Sequence, residues 1–353
     1  MGKKNNSVLL IGAFGYHNHQ LDGQTIKSRS IRQLCLDYHD GKVGIFETQS
    51  LYSNPFLLFK LLWLLMKYDE VIFMPASRSL TYILPFLYYV SKLFRYKLIL
   101  ACIGGFQVEY FKGLGIYKKE HNLQLRLCKN IPAFLPELKR VTNKLIELYH
   151  FENIEYFPNF RKFDNSDIVI QKTSASDVLK IAYMARINSK KGYDIVFSFD
   201  KYAKENNLNV IIDFYGQIAN EDKDDFMNKV NNSTFVSYKK ALEPNEIKYT
   251  LDEYDLLVLP TRYYNEGIPG TIIDAYVSGL PVVVTEWKNS HEVVDNGVTG
   301  FIVPFDDPQN DFNSKLQALA QDREMLFKMR CNALKKSQEY ADVSAWNILK
   351  KYL

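Results

Sequence analysis

Cysteine is scarce in this chain. Among 353 residues there are four, Cys35, Cys102, Cys128 and Cys331, with no CxxC and no paired spacing. That scatter excludes a disulfide framework and a zinc framework, and the four read as small buried hydrophobes in a reducing compartment. Long apolar runs are also missing. The two most apolar stretches, 55–67 and 81–100, are each broken by Lys or Arg before the roughly 20 apolar residues that a spanning helix needs. The start, MGKKNNSVLLIGAFG, goes directly into a strand-like run, so no signal peptide is expected. Gly2 suits a myristoylation start, but Asn6 stands where Ser or Thr is required. A net charge of +4 is a mild excess and does not argue for nucleic acid. No G-x4-GK[ST] loop, GxGxxG fingerprint, zinc or calcium motif, or recognisable Ser/His/Asp triad is present. Asp222-Lys223-Asp224 spells D-x-D, but it opens an expected helix, where acids complement the dipole. No metal is expected.

What is there is a globular α/β chain. Apolar residues make up 47% and charged residues 24%, and the length suits two domains better than one core. Short apolar runs alternate with helical stretches. In the first half, strands are expected at 8–12, 44–47, 70–74, 97–103 and 154–157, with helices from near Gln24 and over 54–67, 79–94 and 136–150. The stretch after Gly104-Gly105 has no clear periodicity. A polar Ser/Asp/Lys-rich linker over roughly 160–177 marks a domain boundary. Alternation then restarts, with strands at 179–184, 210–216, 234–237, 256–260 and 281–285 and helices at 190–205, 221–231, 244–251 and 271–278. Two further helices, 308–322 and 323–352, close the chain. The expected division is 1–160 and 161–330, with 331–353 as a terminal helix able to cross back onto the first domain.

The run from Tyr254 to Val303 organises the rest. It reads strand–loop–helix–strand, and ligands of open α/β sheets bind at the carboxyl ends of such strands. Glu266 lies in the loop and Asp274 eight residues later in the first helical turn. Between them, Gly270 and Thr271 offer backbone N–H groups at a helix N-terminus, which suits an anion. Carboxylates accept from sugar hydroxyls and N–H groups donate to phosphate, so the unit can grip a molecule that is sugar at one end and phosphate at the other. The plainer account is a dipole-complementing Asp274 and a solvated Glu266.

Two further turns carry candidate ligand groups. In ARINSKKGYD (185–194), Arg186 and Lys191 sit between a strand end and a helix start, Arg suited to bidentate contact and Lys to a point charge on a diphosphate. A solvated basic turn is the ordinary alternative. The first strand leads into GAFGYHNHQLDGQTIKSR, where Gly23 and Gly15 allow close backbone approach and Asp22 is an N-cap candidate. His17 and His19 share that loop and are assigned no catalysis.

EGIPGTIIDAYVSGLPVVVT resembles the E-x7-E signature of retaining glycosyltransferases of family 4, which have the GT-B fold: two doubly wound Rossmann-like domains facing each other across a cleft. GVTGFIVPFDDP and the R-x4-K-G of Arg186 and Lys191 are similar to the same family. The resemblance implies Glu266 on the donor sugar, Asp274 on the nucleotide ribose, and Arg186 with Lys191 stabilising the diphosphate leaving group. It also implies Gly23, and secondarily Gly15, near that diphosphate. Asp274 stands where the family carries Glu. Many members have a histidine after the Gly104 strand, whereas the nearest here is His121. DGQTIKSR, YFPNFR and EGIPGTIIDA are similar to bacterial enzymes that build surface polysaccharides. The implied reaction moves a sugar from a UDP- or GDP-linked donor to a lipid-linked saccharide or other glycan acceptor, in the cytoplasm, with no cofactor.

Membrane contact enters through composition. Tyr82–Lys97 interleaves aromatics with Lys92, Arg95 and Lys97, which fits either a helix on an anionic membrane surface or one packed on a sheet. The 55–67 segment is read as packed on a sheet. Two rival functions share the fold, a nucleotide-sugar epimerase and a non-catalytic partner subunit.

Overall fold

The computed structural model describes residues 6–16, 23–162 and 178–353, without the side chains of 52 and 53. His17, His19, Asp22 and most of the expected linker lie outside the described residues. The chain divides into two compact units, one made of Met1–Lys162 with Asp342–Leu353, the other of Phe163–Ala341.

The first unit holds strands β1 (Ser7–Gly12), β2 (Lys42–Glu47), β3 (Glu70–Met74), β4 (Lys97–Ala101) and β5 (Ala133–Leu135). They form a parallel sheet in the order β2-β1-β3-β4-β5. β1, β3 and β5 are buried along their whole length, as expected of parallel strands covered on both faces. Right-handed crossovers place helix Gly23–Tyr38 on one face and helices Leu57–Leu65 and Ser77–Phe94 on the other. The first face is a core of Val8 and Leu10 against Ile31 and Leu34, closed by Ala345 and Leu349 from helix Asp342–Leu349.

The second unit holds β6 (Leu179–Met184), β7 (Val210–Tyr215), β8 (Val236–Tyr238), β9 (Leu256–Leu259), β10 (Val282–Thr285) and β11 (Gly300–Val303). Their parallel order β11-β10-β9-β6-β7-β8 is the doubly wound order of dinucleotide-binding domains, with its switch point between β6 and β9. In the first unit the switch point falls between β1 and β3. Loops leave in opposite directions at such a point, and the crevice between them is where the fold binds ligands.

Four elements differ from expectation. The 54–67 helix is shorter, Leu57–Leu65, with a separate helix Gln49–Ser53 ahead of it, and it buries only Leu61 and Leu65, so most of it does not pack on the sheet. β5 replaces the strand expected at 154–157, where a single bridge joins Phe134 to Ile154. The aperiodic stretch after Gly105 contains helices Gln107–Lys112 and Asn122–Lys129. The helix expected over 323–352 is broken. Arg323–Ser337 packs on helix Gly270–Val277, the chain extends at Ala341, and the Asp342 N–H donates to the Arg161 carbonyl at 2.9 Å. Only residues from Asp342 onward belong with the first unit.

Candidate functional site

The site lies in the second unit where β6 and β9 diverge. β6 ends at Met184, and the turn beyond it is pinned strand by strand. Ala185 N–H donates to the Tyr215 carbonyl at 3.1 Å and Ile187 N–H to the Gln217 carbonyl at 2.9 Å. A 3-10 turn, Ser189–Lys191, follows, capped by the Asn188 side chain, which accepts from Lys191 N–H. Asp222 holds the same turn from outside, accepting from Ser189 N–H at 3.2 Å and from the Tyr193 hydroxyl at 3.1 Å. The first acid of the D-x-D triplet is thus committed to this turn.

Gly192 explains how the turn comes so close to β9. Its φ is 71°, a left-handed value that favours glycine. A Cβ there would stand 1.9 Å from the Pro260 carbonyl oxygen. The contact is reinforced from the other side, since Arg262 N–H and the Thr261 hydroxyl both donate to the Lys190 carbonyl. Arg262 also pairs with Asp194 at 2.6 Å.

This stitching brings Lys191 and Glu266 together across 75 residues of sequence. Lys191 Nζ donates to Glu266 Oε2, with the two side chains 22% and 16% exposed, so the pair is partly withdrawn from water yet reachable. Burial holds the Tyr183 phenol far above its usual range, which keeps it a donor to the Lys191 carbonyl at 3.1 Å.

The acidic loop is itself held from behind by residues that follow β10. Asn289 Nδ2 donates to the Glu266 carbonyl at 2.6 Å, the buried Trp287 Nε1 to the Gly267 carbonyl at 3.1 Å, and Lys288 N–H to the Tyr264 carbonyl at 3.0 Å. Helix Gly270–Val277 starts after Pro269 with no side-chain cap, so the Gly270 and Thr271 N–H groups have no partner within the helix. Thr271 Oγ1 is buried there without a hydrogen-bond partner. Asp274 lies on that helix, half-buried.

Three sequence candidates remain. Arg186 is exposed just beyond β6 and forms no ion pair among the described residues. Gly15 and Gly23 belong to the first unit. Gly15 has φ 62°, and its N–H is already given to Glu47 Oε2 at 3.1 Å while Arg29 donates to its carbonyl. Gly23 opens helix Gly23–Tyr38 with open space where a Cβ would go. The holding roles of Asp222, Trp287 and Asn289 were not foreseen from sequence; each bonds to the backbone of a distant segment, Asp222 to the Tyr193 hydroxyl as well, and such bonds leave no periodic signal.

Residues 164–336 match the family described as Glycosyl transferases group 1. Over that segment the chain is similar to group 1 glycosyltransferases. Over 159 residues the chain is 31% identical to UDP-Gal:alpha-D-GlcNAc-diphosphoundecaprenol alpha-1,3-galactosyltransferase of Escherichia coli, covering 43% of this chain and 37% of that protein. Over 145 residues it is 30% identical to the amylovoran biosynthesis glycosyltransferase AmsK of Erwinia amylovora, 37% of this chain and 33% of that one. The match spans about a third of the length of these curated relatives. Among solved structures, Anabaena Alr3699/HepE in complex with UDP superposes with a TM-score of 0.72 at 15% identity over 98% of each chain. That likeness concerns the fold: two Rossmann-like parallel-sheet domains of the GT-B class.

Proposed function

We propose that this chain transfers a sugar, with retention, from a UDP- or GDP-linked donor to a hydroxyl of a lipid-linked saccharide in the synthesis of capsule, exopolysaccharide or O-antigen. The observation that carries the reading is the Lys191–Glu266 contact at the β6–β9 switch point, a cation and an acid held where this fold binds nucleotides. In the reaction the bond between the anomeric carbon and the diphosphate oxygen breaks and its electron pair stays on the diphosphate. The acceptor oxygen bonds the same carbon and gives its proton to the departing diphosphate. Arg186 and Lys191 answer the charge that develops on the leaving diphosphate. Until the donor arrives, Glu266 neutralises Lys191. The diphosphate displaces it, and the freed carboxylate accepts from sugar hydroxyls. Asp274 takes the ribose hydroxyls, and Gly270 and Thr271 N–H groups the phosphate. The relative that names an undecaprenol-linked substrate supports a lipid-linked acceptor.

Nucleotide binding tests this without knowledge of the acceptor. UDP, GDP, ADP and CMP are each added in EDTA and in magnesium, and the thermal midpoint is followed. A ligand at about 100 times its Kd stabilises by about 2.7 kcal/mol. A shift from UDP or GDP that needs no metal and is lost in Arg186→Ala is the expected result. No shift from any nucleotide sinks the proposal and leaves the acidic loop as inherited structure.

A further inference from the structure

We infer that the first unit rests on an anionic lipid bilayer through the outer faces of helices Leu57–Leu65 and Ser77–Phe94. The inference deepens the transferase reading, on which it rests only for the lipid-linked nature of the acceptor, by naming the surface on which that acceptor is met.

Phe56, Phe59, Trp63 and Met66 recur at i, i+3, i+7 and i+10, one helical stripe, and each is between 51% and 79% exposed. Tyr82, Tyr89 and Leu93 make a second stripe along the neighbouring helix, each between 57% and 73% exposed. The two helices lead into and out of β3 on the same face of the sheet, so the stripes share a layer. A third piece is fixed beside them. The Tyr110 hydroxyl lies 2.8 Å from Thr81 Oγ1 and its ring 5.3 Å from that of Tyr117. This holds the turn containing Leu114 and Ile116, the latter 83% exposed, at the start of helix Ser77–Phe94. Large aromatic and aliphatic side chains in such number exceed what scattered surface apolar residues account for.

Charge decides what covers them. Residues 54–68 and 76–96 contain Lys60, Lys67, Arg78, Lys92 and Arg95 and no Asp or Glu. Lys67 Nζ sits 3.4 Å from the Trp63 ring centroid, and Lys92 Nζ 5.0 Å from that of Tyr88. Aromatic rings beside lysines that lay their stems along apolar surface are the composition of a membrane–water interface. A second copy of the same face would oppose cations to cations with no acid to pair them. Anionic headgroups supply the missing sign, and the acyl boundary takes the rings. Among the described residues no helix is long and apolar enough to cross a membrane, so these helices lie along the surface.

The test uses the full chain with vesicles of phosphatidylcholine alone or mixed with phosphatidylglycerol, at low salt, in a sedimentation assay. Partitioning onto the anionic vesicles should be at least tenfold stronger. The double substitution Phe59→Glu/Trp63→Glu should reduce it at least tenfold while leaving the thermal midpoint and its nucleotide-induced shift unchanged. Lipids brominated on the acyl chain should quench tryptophan emission in the native protein and much less in Trp63→Phe, which should still bind. Absence of pelleting, equal binding to phosphatidylcholine alone, or indifference to Phe59→Glu/Trp63→Glu overturns the inference. A concentration-dependent dimer abolished by the same pair would assign the face to a second copy and overturn it too. The nucleotide shift in the same preparation reads the transferase proposal separately, so either can fail alone.

Discussion

At the scale of single residues the site turns on two side chains that face each other. Lys191 and Glu266 are each other's counter-ion, so removing either changes the charge seen by the other as well as by a ligand. Lys191→Ala should lower turnover at least tenfold, equivalent to about 1.4 kcal/mol of transition-state stabilisation, with kcat and kcat/KM falling together. Steady-state kinetics with the responding nucleotide sugar checks this, and unchanged turnover removes Lys191 from the mechanism. Gly192, next in the chain, shows how narrow the construction is. The lysine reaches its partner because a residue without a side chain lets the turn lie against the Pro260 carbonyl.

At the scale of elements, the loop carrying Glu266 is only as well placed as the segment after β10 that holds it. Asn289→Ala removes the donor to the Glu266 carbonyl, and an unsatisfied buried acceptor costs about 1–3 kcal/mol. The expected result is a several-fold fall in kcat/KM with a modest loss in urea stability. Trp287→Phe, which keeps the ring but loses the N–H to Gly267, should shift the same kinetics in the same direction. Wild-type kinetics in both would mean the loop is fixed by other contacts. This dependence was not legible in the sequence. Strands such as 70–74 and 179–184 announce themselves because burial on both faces demands continuous apolar runs. Lys191 and Glu266 could be found because they flank recognisable strand ends. Asn289 and Trp287 could not, because a side chain bonding to a distant backbone carbonyl follows no spacing rule. Helix Leu57–Leu65 misleads for a related reason. Being apolar on nearly every side, its pattern does not say which side is buried, and the structure buries the least of it. β5 escaped notice because three residues between Ile131-Pro132 and Pro136 are too short a run to stand out.

For the whole molecule, buried phenols set a limit on the alkaline side. Burial pushes Tyr110 up to about 12 and holds Tyr183, Tyr254 and Tyr276 well above the ordinary range. Unfolded tyrosines ionise near pH 10. The stability these groups confer is therefore complete below about pH 10 and is lost as pH rises from there through their folded values. Burial lowers the Lys27 amine, so that residue acts in the opposite sense, gaining stability as pH climbs toward its unfolded value, and the raised phenols outnumber it. The urea midpoint should fall between about pH 9 and about pH 11, in step with the tyrosinate absorbance. A flat midpoint over that range would show the phenols to be reachable by water in the native state.

The return of residues 342–353 to the first unit has a consequence during synthesis. Ala345 and Leu349 complete a core begun by Val8 and Leu10, and the Tyr38 hydroxyl awaits Asp342, 304 residues later. Domains generally fold in the order they leave the ribosome. Here the unit that emerges first is finished last, and the second unit can close on itself while its predecessor still lacks one helix. A nascent chain stalled anywhere within the second unit therefore carries a first unit with one apolar face uncovered, a natural place for a chaperone to hold on.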